Sequence, residues 1–280
     1  MPRPNWRPEV TLRHRSDTIV IQSFRDHSVP RWIQTCLDSV RNWAALFGHD
    51  YELSGDEFYD LCGPEYLARG NKNPQAKTNL ARLVAARQKL DAGYAKVIWI
   101  DADAFVFDPQ RLVLDFPSDV LGTGYAFGRE VWITRGSWGV PKCVGPMAHN
   151  AAMFFTSAAV DLDMLIALIR HIDARRTIVS NYQVGVNLLR GLQYSLMFPT
   201  FSHVGVFSPD LIRALAKGDK HFLKSYGKIY RYPCCAANLG LSIQHETSEQ
   251  VLLQVMDRLA AGTGRAINMF MSESEPQLVP

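Results

Sequence analysis

Short unbroken apolar runs alternate with stretches of helical periodicity along this chain. Residues 17–24 are apolar and β-branched, which predicts a buried first strand. Trp32, Ile33, Cys36, Leu37, Val40, Trp43, Ala44 and Phe47 then share one helical face, with Gly48 placed to end the helix. Residues 51–53 predict a short second strand, and 54–73 read as loop with a short helix around Phe58, Tyr59 and Leu61. A second helix is predicted over 75–91, ended by Gly93, and it feeds a strand over 96–100. Another strand is expected over 120–125. Residues 128–146 gather glycine, proline, Trp132 and Trp138 and read as a long loop, which in compact domains usually carries function. A strand over 151–155 follows, then a helix with Leu162, Leu165, Ile166, Ile169 and Ile172 on one stripe. A helix over 181–190, an extended 194–198 and a last helix carrying Val251, Leu252, Val255 and Leu259 complete the pattern.

Alternating strands and helices predict an α/β fold, with a mostly parallel central sheet flanked by helices in a single domain. The domain is expected over 17–271, behind a lead-in of 1–16 and ahead of a flexible tail over 272–280. A net charge of +3 gives no reason to expect nucleic acid as partner. No run approaches the roughly 20 apolar residues that span a bilayer, so no transmembrane segment is expected. The first residues lack the apolar core of a signal peptide. Five cysteines, an odd number without zinc spacing, argue against a disulfide framework and for a reducing, cytoplasmic location, which includes one peripheral to a membrane.

The apolar run Val97-Ile98-Trp99-Ile100 ends on Asp101-Ala102-Asp103. Side chains two apart on extended chain point the same way, so both carboxylates are expected on one side at the carboxyl end of a core strand. Ligands bind there in open α/β sheets. Two like charges so close are costly unless a cation neutralises them, and hard oxygen ligands favour Mg²⁺ or Mn²⁺. Such an ion keeps positions open for phosphate, so these residues point to a divalent metal and a phosphorylated substrate.

Lys96-Val-Ile-Trp-Ile-Asp-Ala-Asp-Ala-Phe-Val106 resembles the DxD segment of GT-A-fold, nucleotide-sugar-dependent glycosyltransferases, and Leu80-Ala-Arg-Leu-Val84 resembles the helix leading into it. The resemblance implies a GT-A-like, Rossmann-like fold, with 17–126 as the nucleotide-binding half and 127–271 as the acceptor-side half. It implies a nucleotide-sugar donor, UDP-linked in preference to GDP-linked, and an acceptor that it does not identify. Asp101 and Asp103 would hold the metal, and Asp101, Ala102 and Asp103 would lie against the donor. Arg82 matches an arginine that contacts donor beside the acid pair, and Lys77 precedes it on the same helix. A solvated helix face is the alternative for each. Asn150, in His149-Asn150-Ala-Ala-Met-Phe-Phe155, resembles an asparagine that touches the donor sugar, although Ala152 stands where a glycine is often found.

Asn181-Tyr-Gln183 resembles an element near the reacting carbon, which makes Asn181 and Gln183 the expected catalytic residues; as an alternative, Asn181 caps a helix. The resemblance leans to retention of configuration. Inversion would need a general base, for which Asp161, Asp163, Asp210 and Glu246 compete. A further metal ligand is expected from histidine. His203, in Phe198-Pro-Thr-Phe-Ser-His203-Val-Gly205, ranks ahead of His221 and His245 because the glycine lets backbone approach a diphosphate. Lys224, Lys228 and Arg231 interleave with Tyr226, Tyr230 and Tyr232, a patch that either grips diphosphate or forms a half-exposed strand. Trp132 and Trp138 suit an acceptor platform or core anchoring.

Two rivals stand beside this expectation. A haloacid-dehalogenase-like phosphatase also places Asp-x-Asp after an apolar strand, but Phe105 occupies the position where those enzymes carry Thr or Val. A non-catalytic sugar-nucleotide or glycan-binding module is the other.

Overall fold

Both faces of each central strand find a core, and this is why the runs are continuously apolar instead of alternating. The computed structural model describes residues 16–69, 73–116, 122–175, 183–230, 234–240 and 247–263. Its strands in chain order are β1 (Thr18–Ser23), β2 (Asp50–Ser54), β3 (Lys96–Ile100), β4 (Ala104–Val106), β5 (Tyr125–Arg135), β6 (Pro141–Thr156), β7 (Thr200–Phe201), β8 (Val204–Val206) and β9 (Ala236–Asn238). Six form the central sheet in the order β2-β1-β3-β6-β5-β7, and β4-β9-β8 form a smaller one. β6 pairs antiparallel with both of its neighbours while the other pairings in the large sheet are parallel, so the sheet is mixed with one reversed strand. Ile19, Ile21, Val97, Trp99, Phe127 and Phe155 enter one core. Val20, Ile98, Ile100, Ala126 and Phe154 enter the core on the other face.

The helices are α1 (Arg31–Leu46), α2 (Pro64–Ala68), α3 (Pro74–Asp91), α4 (Leu162–Arg175), α5 (Val186–Leu196), α6 (Pro209–Lys217), α7 (Lys220–Tyr230) and α8 (Glu249–Arg258). Residues of α3, α4 and α5 line the first core, and Val40 and Trp43 of α1 line the second. α1 ends as its sequence predicts. Gly48 takes φ +68°, His49 N–H bonds the Ala44 carbonyl at 2.9 Å and Gly48 N–H bonds Ala45 at 3.1 Å, a left-handed cap that satisfies the last carbonyls. The 126/127 boundary expected between two halves falls inside β5, and the sheet continues across it.

Several expectations need correction. Residues 128–146 are not a loop but most of a long hairpin, β5 and β6, joined by a short 3₁₀ turn over Ser137–Gly139. Gly136 and Gly139 do belong to the turn, but Gly128 and Gly145 sit at register shifts within the ladder: one shift lies between Phe127 and Gly128, another between Glu130 and Trp132. Gly145 faces the second shift at φ +123°, where a Cβ would stand 2.7 Å from the Glu130 carbonyl oxygen. Residues 194–196, expected to be extended, continue α5, because Leu188, Leu192 and Leu196 keep a helical stripe against the core. The helix expected from 181 begins at Val186, and Asn181 lies outside the described residues. The strand expected over 120–125 starts at Tyr125, with 120 and 121 outside the description. As far as Tyr230 the basic aromatic segment is helix α7, not strand, with Tyr226 and Tyr230 fully buried; Arg231 and Tyr232 lie outside the described residues. No described helix is long and apolar enough to cross a membrane.

Candidate functional site

The acid pair is assembled by backbone on three sides. Asp101 N–H bonds the Ala151 carbonyl at 2.8 Å, extending the β3–β6 ladder one residue past Ile100. The chain then turns, with Ala104 N–H on the Asp101 carbonyl at 3.0 Å, so the two acids are joined by a turn and not by the extended segment expected. They converge nevertheless. β4 pairs with β9 so that Ala104 faces Asn238, and Leu239 N–H bonds the Asp103 carbonyl at 2.9 Å. Asn238 Nδ2 then donates to Asp103 Oδ1 at 2.6 Å and approaches Asp101 Oδ2 at 3.4 Å. The Asn238 Oδ1 accepts from Gly240 N–H, which turns the amino group toward both carboxylates.

Asp101 carries three more contacts. Trp99 lies two positions earlier on the same side of β3, and its Nε1 donates to Asp101 Oδ1 at 2.7 Å. Arg82 of α3 reaches the same oxygen at 3.1 Å and lies over the Trp99 ring at 5.1 Å. Gln22 Nε2, oriented by Tyr51 Oη, bonds the Asp101 carbonyl at 3.1 Å. Burial raises the Asp101 pKa; the Arg82 charge and the Trp99 hydrogen bond oppose that shift. Arg82 also donates to the Asn150 carbonyl at 2.6 Å, and Asn150 Nδ2 donates to Asn79 Oδ1 at 2.9 Å. Arg82 therefore stands against Asp101, and Asn150 is linked to it only through Arg82.

These groups wall one side of a cleft of about 850 Å³, within the ~300–1,000 Å³ typical of ligand sites. Ala102 and Asp103 line it, as do Phe24, Arg25, Asp56 and Tyr59 near the ends of β1 and β2. The hairpin supplies Glu130, Trp132, Val144, Met147 and His149, and α5 supplies Val186 and Arg190. Arg190 donates to Glu130 Oε2 at 2.7 Å, and His149 Nε2 stands 3.9 Å from that oxygen. His149 Nδ1 accepts from Ala151 N–H at 2.8 Å, so the neutral ring carries its proton on Nε2. Burial lowers the His149 pKa to about 3, helped by the charges of Arg82 and Arg190. Burial raises the Glu130 pKa against the pull of Arg190.

Other expected residues stand elsewhere. The face of α3 toward the cleft carries Pro74, Gln75, Thr78, Asn79 and Arg82; Lys77 falls on another face, over the Tyr59 ring. Asp163, 68% exposed in the first turn of α4, pairs with Arg87 at 3.5 Å. Gln183, in the turn before α5, and Lys224, exposed on α7, do not line the cleft. Asp161 accepts from Tyr125 Oη, and Asp210 from Arg135 N–H. His203 is buried beside Phe116, with its carbonyl accepting from Cys235 and Ala236 N–H, and it does not line the cleft. His221 is exposed at the start of α7, while His245 and Glu246 lie outside the described residues. Trp132 lines the cleft, whereas Trp138 at the hairpin tip is 100% exposed and anchors no core.

Asn238, Glu130, Arg190 and Asn79 were not among the residues singled out from sequence. Their only sequence signal is a polar residue within a largely apolar segment, and many such residues are simply exposed.

Two convergent carboxylates are hard oxygen donors of the kind that hold Mg²⁺ or Mn²⁺ alongside phosphate and water. Among the described residues no group of three His, Cys, Asp or Glu could hold a metal, so His203 does not complete a protein cage. The residues fit an ion whose remaining ligands come from phosphate and water.

No protein family matches the chain, and no curated protein matches it in sequence. Among solved structures the chain is similar to a glycosyltransferase involved in the glycosylation of the major capsid of PBCV-1, at 11% identity over 87% of this chain and 99% of that one, with a TM-score of 0.45. It is also similar to the PaToxG glycosyltransferase, at 9% identity over 94% and 89% of the two chains, with a TM-score of 0.35. Scores below 0.5 do not establish a common fold, and the functional conclusion rests on the residues of the cleft.

Proposed function

We propose that this chain is a metal-dependent glycosyltransferase that takes a sugar from a nucleotide-diphosphate donor, UDP-linked by preference. The observation that carries the proposal is the meeting of Asp101 and Asp103 at the end of a core strand, beside Arg82, in a cleft of ligand size. Asp101 and Asp103 would hold Mn²⁺ or Mg²⁺, which supplies stabilisation of the charge developing on the departing nucleoside diphosphate. Arg82 fixes Asp101 in direction, and through the Asn150 carbonyl it ties the acid pair to β6. Asn238 sets the spacing of the two carboxylates with one amide. Phe24, Arg25 and Tyr59 in the same cleft offer flat and cationic surface to a nucleotide.

The phosphatase alternative asks Asp101 to attack phosphorus with a carboxylate oxygen. Its Oδ1 is already held by Trp99 and Arg82, and its Oδ2 faces Asn238, which speaks against that role.

Asp103→Asn tests the proposal. The amide oxygen can still accept from Asn238, so the fold should persist. UDP with Mn²⁺ should stabilise the wild type against heat and leave the variant unmoved, and donor hydrolysis should fall at least ~100-fold. Equal stabilisation and turnover in the two proteins would reject the assignment.

A further inference from the structure

Four carboxylates line the cleft, and three have a position that explains them. Asp101 and Asp103 form the strand-end pair, and Asp56, exposed at the start of a 3₁₀ helix over Asp56–Cys62, stands beside His27 at 3.5 Å. The fourth, Glu130, is 6% exposed and belongs to the hairpin wall. Arg190 holds its Oε2 at 2.7 Å, while no described hydrogen bond uses Oε1. One oxygen is thus oriented and the other left to accept. His149 at 3.9 Å is neutral and offers its Nε2 proton toward the oriented oxygen, not the open one. The group lines the same cleft as the acid pair and is linked to it by a chain of contacts. Glu130 neighbours His149, whose next residue gives its carbonyl to Arg82, which bonds Asp101.

We propose that Glu130 is the catalytic base of the transfer, taking the proton from the attacking hydroxyl so that the reaction inverts configuration at the anomeric carbon. This rests on the glycosyltransferase assignment. In the step, the acceptor oxygen forms a bond to the anomeric carbon while its proton passes to Glu130 Oε1. The bond from that carbon to the diphosphate oxygen breaks, and its electron pair leaves with the nucleoside diphosphate. The proton on Glu130 then returns to water. Arg190 is a positioning residue, since it acts through Glu130. A carboxylate made more basic by burial is better matched to this task than a solvated one. The groups facing it are Arg190 from α5 and His149 from β6, and on α7 the Tyr226 phenol, whose pKa burial raises, also feels the Glu130 charge. Inversion departs from the retention to which the sequence resemblance leans. Gln183 does not line the cleft, and Asn181 lies outside the described residues.

The test needs no natural acceptor, because water can take its place. The full chain with Mn²⁺ is given a panel of UDP- and GDP-sugars, and the donor that the wild type hydrolyses fastest is carried forward. Glu130→Gln should hydrolyse it ~100-fold more slowly or worse, and should lose the acid limb of the pH–rate profile. Stabilisation by UDP and Mn²⁺ should stay at the wild-type level. Added azide, an anionic nucleophile with no proton to lose, should restore turnover in Glu130→Gln and give a glycosyl azide of inverted configuration. Glu130→Asp, which keeps a carboxylate on Arg190, should retain part of the activity and the acid limb. Turnover in Glu130→Gln within about twofold of wild type overturns the inference, as does a retained product or a loss that azide leaves unrepaired in a variant that still binds UDP with Mn²⁺. A wild type that neither binds UDP with Mn²⁺ nor hydrolyses any donor overturns the transferase assignment itself, and this inference with it.

Discussion

The backbone of Asp101 and Asp103 is placed by the main chain: a ladder bond to Ala151, a turn closed at Ala104 and a bond from Leu239 hold the strand end from three directions, and Asn238 and Arg82 only direct the carboxylates. Glu130 stands instead beside a register shift in a hairpin, and side chains, Arg190 and His149, decide where its carboxylate rests. Both groups face one cleft. The contrast separates two kinds of functional position. Where backbone sets the place, a side chain can be exchanged and the chemistry changes while the fold stays. Where neighbouring side chains set it, exchange of one of those neighbours moves the functional group itself.

The two arginines give the hardest test of this contrast. Arg82→Met leaves Asp101, itself 21% exposed, without its cation and the Asn150 carbonyl without its donor, in a site where Arg82 is only 7% exposed. Breaking a buried pair from one side costs about 3–5 kcal/mol, which urea unfolding would read as a lowered midpoint. Arg190→Met removes the partner of Glu130 from a side chain 29% exposed, and water can replace part of what is lost. The expected cost is about 1–2 kcal/mol. Equal losses would mean that the hairpin group is as rigidly built as the strand end.

A smaller effect, spread over pH, isolates the hairpin side. His149 has a folded pKa of about 3 against an ordinary 6.5, so between those values the unfolded chain binds a proton that the folded chain refuses. Stability is therefore present in full above pH 6.5 and is lost as pH falls toward 3, by up to ~1.4 kcal/mol per pH unit. Glu130 and Asp101 act with the opposite sign, because burial raises both: just above their ordinary values the folded chain binds more protons, and stability rises as pH falls. Their contributions overlap that of His149 in the wild-type curve. His149→Asn keeps an acceptor for Ala151 N–H and removes the imidazole, so the difference between the two stability–pH curves belongs to His149. Parallel curves would show that the ring is not held neutral.

The same contrast explains what could be read from sequence. The strand end was legible because its signal is local: Val97 to Ile100 is unbroken and apolar, the acids follow at once, and Arg82 sits on the helix that feeds the strand. Asn150 was read from a family resemblance, and the pairing of Ile100 with Ala152 brings its stretch of β6 to the same strand end. The hairpin was not, since glycine and proline mark loops and bulges alike in one dimension. Gly145 reads as a loop breaker, yet it serves the register shift that sets Glu130. Asn238 reaches the acids through a β4–β9 pairing more than a hundred residues apart in sequence, which no local pattern announces. His203 failed for the reverse reason: a suggestive local motif belongs to a residue packed beside Phe116.

The smallest expected effect sharpens the contrast by its absence. Asp163 and Lys224 were expected from sequence to act on substrate, but the fold sends both outward. Asp163 opens α4 and meets Arg87 at 3.5 Å with 68% of its side chain exposed, and Lys224 lies on the exposed side of α7, whose buried side holds Tyr226 and Tyr230. An exposed ion pair contributes little, because water screens it and two long side chains must be ordered to form it. Asp163→Ala and Lys224→Ala should each leave stability within about 0.5 kcal/mol and donor hydrolysis within about twofold of wild type. Neither the strand end nor the hairpin group depends on them. A large loss of hydrolysis in either variant, with UDP and Mn²⁺ still bound, would mean that the catalytic groups extend beyond the cleft to the outer faces of α4 or α7.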